Sequence, residues 1–577
     1  MKRTALGFVA ALACATTIGA RAQSPAPADV VFVNGKVFTA DEDNRVVQGF
    51  AITGDRFVAT GSDDEVRRYA GPQTKVIDLK GHFVSPGITD DHFHNEGGGS
   101  GIDLSHVRAL GELLTTVANA AAAAPADTVI VSNSDWHEAQ LKEQRLPTAE
   151  EIEQASPGKP VVLVRGGHEY ILNTSALKKW NITKDTPVPA GGQISRNVAG
   201  ELTGELFDEA KALVSLPRPR PVGMDDIIAT QKAVAPYGMT ALRIPGSYKG
   251  DMIAAYHLMK QAEAEGRLTL RWTVYMPGFS LRSAEAARKA MESWGTHQGE
   301  GDDWVKVDGV KLMVDGGFEG GHLSKPYLEP YGKGGTFTGL TVSPPSAYTE
   351  VVRELNSKGW HVITHAVGDA ALDEVLDAYA AADKDASIKG KRWSVEHAFV
   401  SRPEQVARLK ELDVAVSAQD HLYLAAPVLK KYWGWETAAE VTPVKTYLDA
   451  GLLVAGGTDS PVVPFNPFWN LYHMASRDTI SDGVYGADQK ITSRALLLRL
   501  VTINYARLIG EEKTRGSIVS GKLADFAVLT DDFLTVKPDA IRDMKALSTW
   551  VGGREVYRAP GFGEAAAPRP SKQSGVN

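Results

Sequence analysis

Residues 84–99, VSPGITDDHFHNEGGG, run from a short apolar strand into a glycine-rich loop, and four titratable side chains stand between the two. Asp90 and Asp91 end the apolar run, and His92 and His94 follow with one residue between them. Successive side chains of a strand point to opposite faces, so His92 and His94 share a face. Neutral imidazoles are ligands of zinc and related divalent ions. A metal site is one interpretation of this stretch, and a polar loop is the other.

Apolar runs typical of buried strands recur along the middle of the chain, and helical patterns follow most of them. The runs occupy 84–92, 239–246, 268–276, 307–314, 360–366, 392–398, 413–419 and 452–458. The helical segments include 251–266, 283–295, 347–359, 370–383, 403–412 and 493–510. Strand and helix in eightfold alternation predict an α/β fold, a (β/α)8 TIM-like barrel. An open doubly wound sheet is the weaker alternative, because no G-x-G-x-x-G turn opens the first helix.

Both ends of the chain carry further strand patterns. Residues 29–86 read as short strands separated by turns, and residues 511–560 are strand-like again. The two pieces predict a small β-sandwich domain around a barrel over residues 87–510. The first barrel unit is much longer than the others, which predicts an insertion at about 100–225 over the barrel mouth. Residues 561–577 are predicted to be a disordered tail.

Residues 1–22 have the pattern of a secretory signal peptide. A basic start precedes a short apolar stretch, and Ala20-Arg21-Ala22 fits the small-residue cleavage pattern. The expectation is an exported protein, periplasmic or secreted, cleaved near Ala22. The sole cysteine, Cys14, lies inside this segment and leaves a lipoprotein open beside soluble export. The mature chain would then have neither a disulfide nor a thiol ligand.

The charge balance argues against a nucleic-acid partner. The 577 residues carry a formal charge of −8, and no cluster of lysine and arginine is interleaved with aromatic side chains. No apolar run after the signal segment is long enough for a membrane helix. The helices expected on the outside of the barrel leave a homo-oligomer open.

Titratable side chains stand at or near the ends of five predicted strands. Active sites of barrels of this kind lie at the C-terminal ends of the strands, so these side chains would converge. They are His92 and His94 on the first run, Lys311 on the fourth, His365 on the fifth, His397 on the sixth and Asp459 on the eighth. Five strand ends with ligand-type residues favour a metal centre over isolated polar groups.

Lys311 lies in an apolar run, where an ammonium ion is costly unless it is paired or chemically removed. Carboxylation by CO2 would make it an anionic ligand able to bridge two metals, and pairing with Asp315 is the alternative. Asp459 would be a ligand and the base that takes a proton from water, or else a helix cap. A hydrogen-bonded surface group is the favoured interpretation of four further histidines taken singly: His137, His168, His322 and His421.

Together these motifs resemble the amidohydrolase superfamily, and within it the YtcJ-like branch that includes N-substituted formamide deformylase. PGITDDHFH is similar to the family's P-G-F-x-D-x-H-x-H, and VKLMVDGG, THAVGDAALDEVL, WSVEHAFVSRPEQVARL and GGTDSPVVPFNPF resemble its later site segments. RGGHEYILNTSAL and GGQISRNVAGELTGELFDEA resemble stretches particular to the branch. TALRIPGS departs from the family pattern, which more often has a histidine or an aspartate there. The resemblance implies these metal ligands: His92, His94, Lys311, His365, His397 and Asp459.

The resemblance further implies a hydrolase for a non-peptide carbon–nitrogen bond in a small-molecule amide, either N-acyl or N-formyl. It implies zinc, one ion or two, or another divalent ion, with Lys311 N6-carboxylated and Asp459 as the proton shuttle. His168 is expected to contact the substrate or its oxyanion, with a purely structural histidine as an equal alternative, and Trp136 and His137 are ranked below it as residues that line the pocket. Ester, lactone or deamination chemistry on the same site is an alternative. A catalytically inactive periplasmic binding protein is an alternative of another class.

Overall fold

A computed structural model of the protein describes residues 25–96, 101–217, 220–328 and 334–562. The predicted signal peptide lies outside the described residues, and so does the predicted tail from residue 563 onward. Across the described ranges, no helix combines the length and the apolar character needed to cross a membrane.

The N-terminal strands belong to two sheets. In chain order they are β1 Val30–Val33, β2 Lys36–Phe38, β3 Val46–Val47, β4 Gly49–Thr53, β5 Arg56–Gly61, helix α1 Asp63–Arg67, β6 Lys75–Asp78 and β7 Phe83–Pro86. One sheet has the strand order β5-β4-β1-β6. The apolar run 84–92 divides at Gly87, where a Cβ atom would lie 2.0 Å from Thr240 Oγ1. Beyond that glycine, β8 Ile88–Asp90 is the first strand of the barrel.

The insertion between the first two barrel strands has a sheet of its own. Its elements are α2 Leu110–Ala123, β9 Ile130–Val131, α3 Ala149–Ala155, β10 Val161–Arg165, β11 Glu169–Leu172, α4 Thr174–Lys179, β12 Gly192–Arg196 and β13 Leu202–Asp208. The strands lie in the order β12-β13-β11-β10-β9. Apolar side chains of α2, α3 and β10 form a separate hydrophobic cluster, so the insertion has its own small core.

Eight parallel strands, with helices between them, form the centre of the molecule. The elements after α5 Met224–Val234 are β14 Met239–Pro245, α6 Met252–Ala264, β15 Arg271–Pro277, α7 Ala284–Ser293, β16 Val305–Met313, α8 Pro345–Ser357, β17 Val362–Ala366, α9 Asp369–Asp385, β18 Ser394–His397, α10 Pro403–Glu411, β19 Ala415–Gln419, α11 Leu422–Trp433, α12 Trp435–Ala439, α13 Val444–Asp449, β20 Val454–Gly457, α14 Pro467–Ser476, α15 Arg494–Leu500 and α16 Ile503–Leu508. The strand order β20-β19-β18-β17-β16-β15-β14-β8 follows the chain. This order confirms the predicted barrel and excludes the doubly wound alternative.

Backbone hydrogen bonds join the first and last barrel strands. Asp459 N donates to His92 O at 2.7 Å, and Phe93 forms a parallel bridge with Ser460. The two residues expected at the site, His92 and Asp459, therefore lie at the seam where the barrel closes.

The predicted helix over 493–510 is two helices, α15 and α16. The carbonyl oxygen of Val501 accepts hydrogen bonds from both the backbone N and the Oγ1 of Thr89, at 2.9 and 2.8 Å. Thr502 then adopts a non-helical backbone, with φ −137° and ψ −98°. A contact with β8 thus interrupts a segment whose local pattern is helical throughout.

The C-terminal strands return to the strands of the N-terminus. They are β21 Phe526–Leu529, β22 Ala546–Val551 and β23 Arg554–Arg558, and the sheet order is β23-β22-β21-β7-β2-β3. Aromatic rings pack between this sheet and the four-stranded one: Phe32 lies 5.2 Å from Phe526 and 5.3 Å from Trp550, measured between ring centroids. Short 3-10 helices occur at Glu138–Gln140, Glu209–Leu213, Ala235–Tyr237, Ala487–Gln489 and Pro538–Asp543.

A buried ion pair connects this β domain to the barrel. Arg271, the first residue of β15, donates to Asp525 through Nε at 2.7 Å and through Nη2 at 2.9 Å. Both side chains are almost fully buried. Removal of one partner leaves the other charge buried without compensation, which costs several kcal/mol.

We expect Arg271→Ala to destabilise the protein by about 3–5 kcal/mol, seen as a lower midpoint of thermal unfolding. Lys289→Ala is the control, because Lys289 pairs with Glu285 at the surface, where both side chains are more than two-thirds exposed. That change should cost less than about 1 kcal/mol. Equal midpoints for the two variants would contradict the structural role of the buried pair.

Candidate metal centre

The six predicted ligands all lie at the C-terminal end of the barrel. His92 and His94 follow β8, Lys311 lies in β16, His365 in β17, His397 ends β18, and Asp459 follows β20 by two residues. Asp459 Oδ1 is 3.5 Å from His92 Nε2 and 3.3 Å from His94 Nε2. Lys311 Nζ is 3.3 Å from the same His92 nitrogen. The structure thus brings together residues from five separate strands.

His397 and His365 complete the group. The ring centroids of His92 and His397 are 4.8 Å apart, and those of His365 and His397 are 4.6 Å apart. One potential ligand atom each of His92, His397 and Asp459 lies within 4.8 Å of the other two. His365 uses Nε2 at 3.2 Å from Gly316 O, which leaves its Nδ1 for another contact.

The Nδ1 atoms of His92 and His94 each lie within hydrogen-bond distance of an acceptor oxygen. His92 Nδ1 lies 2.7 Å from Glu396 Oε2, and His94 Nδ1 lies 2.8 Å from the carbonyl oxygen of Ser247. A carbonyl or carboxylate oxygen can only accept, so each Nδ1 carries the proton. The Nε2 atoms, which face Asp459, then present lone pairs.

The titration behaviour of the buried groups agrees with this assignment. Burial, followed by the Lys311 charge, lowers the pKa of His92 to about 3. Burial also lowers the pKa values of His365 and His397 well below the usual range. Burial alone would raise the pKa of Asp459, but the surrounding imidazoles hold it well below its ordinary value. At neutral pH His92, His365 and His397 are therefore neutral imidazoles, and Asp459 is a carboxylate.

This donor set fits a divalent cation. One carboxylate oxygen of Asp459 lies 3.5 Å from Nε2 of His92 and 3.3 Å from Nε2 of His94. In addition, His397 Nδ1 is buried and has no hydrogen-bond partner among the described residues. Unpaired buried acceptors are costly, and a shared cation would satisfy all of them. Imidazole and carboxylate ligands suit zinc and related divalent ions.

Glu396 and Arg243 support His92, and neither residue was predicted from the sequence. Glu396 accepts from Arg243 Nη1 at 2.9 Å and from Nη2 at 3.1 Å, and both side chains are fully buried. Arg243 comes from β14, inside the segment TALRIPGS that departs from the family pattern. Burial raises the pKa of Glu396, but the Arg243 charge and His92 bring it well below its usual value. The carboxylate is therefore ionised and can fix the His92 tautomer.

Glu396 was not expected at the site because it directly precedes His397, and successive side chains of a strand point to opposite faces. Ser394 and Glu396 share a face of β18, with Ser394 Oγ 2.6 Å from Glu396 Oε1. His397 then has a φ of 71° and Ala398 a φ of 44°. This uncommon backbone ends the alternation and lets two successive side chains reach one site.

His421 also belongs to the group, and its interpretation as a surface histidine is wrong. It follows β19, is 3% exposed, and places Nε2 at 3.5 Å from Asp459 Oδ2. Its place two residues after an apolar strand was the signal that could have found it. His137 is likewise buried, whereas His322 is partly exposed and pairs with Glu374 at 2.9 Å.

The alternative pairing of Lys311 with Asp315 does not occur. The Asp315 carboxylate instead accepts from the backbone N atoms of His322, Val367 and Gly368 at 2.9–3.0 Å. Burial lowers the pKa of Lys311 to about 8, although Glu396 and Asp459 act in the other direction.

A cavity opens beside the predicted metal ligands, and the insertion forms part of its wall. Both predicted substrate contacts, Trp136 and His168, line it together with Phe318 and Phe399. The Trp136 indole donates to Val164 O at 2.6 Å, which fixes its ring against the cavity. The insertion therefore supplies both an apolar surface and an imidazole next to the buried centre.

Comparison with known proteins agrees with the barrel fold. The sequence profile described as "Amidohydrolase family" matches residues 75–557. This chain belongs to the amidohydrolase family. The match begins at β6 and includes the barrel strands, the insertion and the C-terminal strands, whereas β1 to β5 precede it.

Individual relatives of this amidohydrolase are distant but span its length. The amidohydrolase YtcJ of Bacillus subtilis is 26% identical, over 91% of this chain and 99% of its own. The N-substituted formamide deformylase of Arthrobacter pascens is 26% identical, over 92% of this chain and 99% of its own. A metal-dependent hydrolase from Pyrococcus furiosus, known from its crystal structure, is 25% identical with a TM-score of 0.61, over 88% of this chain and 100% of its own. The family assignment makes the protein a hydrolase.

We expect Glu396→Gln to weaken binding of zinc by about 10–100-fold, because the neutral amide no longer fixes the His92 tautomer or balances Arg243. Competition with a chromophoric chelator measures the affinity, and near-UV circular dichroism checks the fold. Glu374→Gln is the matched control, since Glu374 pairs with His322 outside the six ligands. Unchanged zinc affinity in a folded Glu396→Gln protein would contradict the role of Glu396.

Proposed function

We propose that this amidohydrolase cleaves a non-peptide carbon–nitrogen bond in an N-acyl or N-formyl amine. The proposal rests on one observation above all: neutral imidazoles, a buried lysine and an ionised aspartate from five strand ends converge beside an apolar cavity. The name of one full-length relative, a deformylase of N-substituted formamides, points to the same bond type.

His92, His94, Lys311, His365, His397 and Asp459 would hold one or two divalent ions, zinc by preference. Such an ion supplies Lewis acidity and lowers the pKa of water bound to it from about 15.7 to about 7. The protein's own contribution is to keep the imidazoles neutral and oriented, through Glu396 and the Ser247 carbonyl.

Asp459 is the residue we assign to proton transfer. Its pKa is held well below the usual range, so it is a carboxylate at neutral pH and can accept a proton from the attacking water. Its Oδ2 atom also faces His421 at 3.5 Å. The same carboxyl group would then deliver the proton to the leaving nitrogen, so that the amine departs neutral.

The proposal is tested by a hydrolysis screen of purified protein supplied with zinc and bicarbonate. The substrates are formamides, N-acyl amines, N-acyl amino acids and lactones, and amine or acid release is measured. Turnover of a formamide or an N-acyl amine is the expected result. Turnover of lactones alone, or of none of the four classes, would contradict the proposal.

We expect Asp459→Asn to lower kcat by about 10²–10⁴-fold with zinc in excess, because the amide cannot accept the proton. Bound zinc, measured by elemental analysis, separates this loss from a loss of metal. Asp449→Asn is the control, since Asp449 is an exposed residue paired with Lys445. An Asp459→Asn enzyme with full zinc and wild-type kcat would rule out this assignment.

We expect Lys311 to be carboxylated at pH 8. With its pKa lowered to about 8, about half of the amine is neutral there, and only the neutral amine attacks CO2. Carbon-13 NMR with labelled bicarbonate should show a carbamate signal that Lys311→Met removes. Lys306→Met, on the same strand but paired with Glu511, should retain it. A signal that persists without Lys311, or no signal in the wild type, would refute carboxylation.

A further inference from the structure

The insertion contributes a histidine–carboxylate pair to the cavity. His168 Nδ1 lies 2.6 Å from Asp208 Oδ1, and Asp208 is almost fully buried whereas a quarter of the His168 side chain is exposed. The His168 ring packs on His365, with the ring centroids 5.3 Å apart. The His168 imidazole, which lines the cavity, is therefore positioned by the buried Asp208 carboxylate and lies next to the predicted metal ligand His365.

The backbone around the pair is shaped to hold it. Asp208, the last residue of β13, has a φ of 46° and a ψ of −118°, a region that residues other than glycine rarely adopt. Its amide N also donates to the carbonyl oxygen of His168 at 2.9 Å. Two hydrogen bonds, one through the side chains and one through the backbone, thus connect these residues.

A glycine-rich loop after the lysine strand leaves space for the pair. A Cβ atom at Gly316 would lie 2.2 Å from Asp208 Oδ2, and one at Gly317 would lie 2.5 Å from His168 Cγ. One at Gly320 would again lie 2.6 Å from Asp208 Oδ2. The glycine-rich loop after β16 therefore packs closely against His168 and Asp208 of the insertion.

The contact with Asp208 also determines which nitrogen of His168 carries the proton. A carboxylate oxygen accepts, so Nδ1 donates to Asp208, and Nε2 is the ring nitrogen left to contact a ligand. The aromatic rings that share the cavity, Trp136, Phe318 and Phe399, offer no comparable acceptor. Of the charged groups there, Asp459 faces three histidines and Glu319 pairs with Arg165.

We propose that His168 Nε2 accepts the hydrogen bond of the substrate's amide N–H, so that the site selects secondary amides over esters and N,N-disubstituted amides. His168 is then a specificity residue in contact with substrate, and Asp208 is a positioning residue that acts through it. This inference rests on the proposed amide hydrolysis and names the form of amide that the site prefers.

The test compares N-butylformamide with butyl formate, which has the same acyl and alkyl groups but no N–H. In His168→Ala we expect the amide-to-ester ratio of kcat/KM to fall by about 10–100-fold, because the acceptor for the amide N–H is lost. The difference in intrinsic reactivity between amide and ester is the same for wild type and variant, so it cancels when the two ratios are compared. Asp208→Asn should lower the ratio as well, since a carboxamide can donate to Nδ1 and move the proton to Nε2. The kcat/KM for N-butyl-N-methylformamide, which has no N–H, should change little with either substitution.

Glu209→Gln is the matched control, because Glu209 is the next residue, is partly exposed and pairs with Arg282 instead. Its amide-to-ester ratio should equal that of the wild type. Bound zinc and circular dichroism are measured for every variant, so that loss of metal or fold is recognised. An unchanged ratio in His168→Ala, with amide and ester affected alike, overturns the inference and leaves the proposed function intact. A wild type that cleaves the ester but not the amide overturns both.

A readout independent of turnover comes from nitrogen-15 NMR of histidine-labelled protein. The His168 signals, assigned by their loss in His168→Ala, should show a protonated Nδ1 and an unprotonated Nε2. In Asp208→Asn the proton should move to Nε2. A proton on Nε2 in the wild type, or on both nitrogens, overturns the inference.

Discussion

The lone pairs of His92 and His94 each lie within 3.5 Å of the same carboxylate oxygen of Asp459, and the rest of the site is arranged around this concentration of acceptors. His92 and His94 direct Nε2 toward Asp459 because Glu396 and the Ser247 carbonyl accept hydrogen bonds from their Nδ1 atoms, which keep the proton there. Glu396 in turn is ionised in the interior only because Arg243 pairs with it. Arg243 on β14 thus stabilises the charge of Glu396 on β18, and Glu396 in turn orients the predicted metal ligand His92.

The barrel and the location of its site could be predicted from sequence because both follow local rules. Apolar runs alternate with helical patterns, and parallel strands place their C-terminal ends together. Arg243 and Glu396 did not follow from such rules, since they meet across the barrel interior from distant strands. The same holds for the break between α15 and α16, which Thr89 imposes from the first strand.

Single histidines were the least predictable residues. His137 has no local feature that separates it from a surface histidine, and His421 has only its position two residues after an apolar strand; the surrounding fold buries both side chains. The insertion was recognisable by its length and was expected over the barrel mouth, but its individual contacts with the barrel were not predicted. The contact between Asp208 and His168 joins the end of β13 to the turn between β10 and β11, and a linear pattern does not encode that distance.

The seam between β8 and β20 has a consequence for biosynthesis. Asp459 N bonds to His92 O, and next to it Thr458 bonds to Asp90, 368 positions away in the chain. During translation the nascent chain presents His92 and His94 long before Asp459 has been made. Binding of an ion by the complete set of predicted ligands would therefore follow closure of the barrel, and a truncated product that lacks the eighth strand cannot assemble that set.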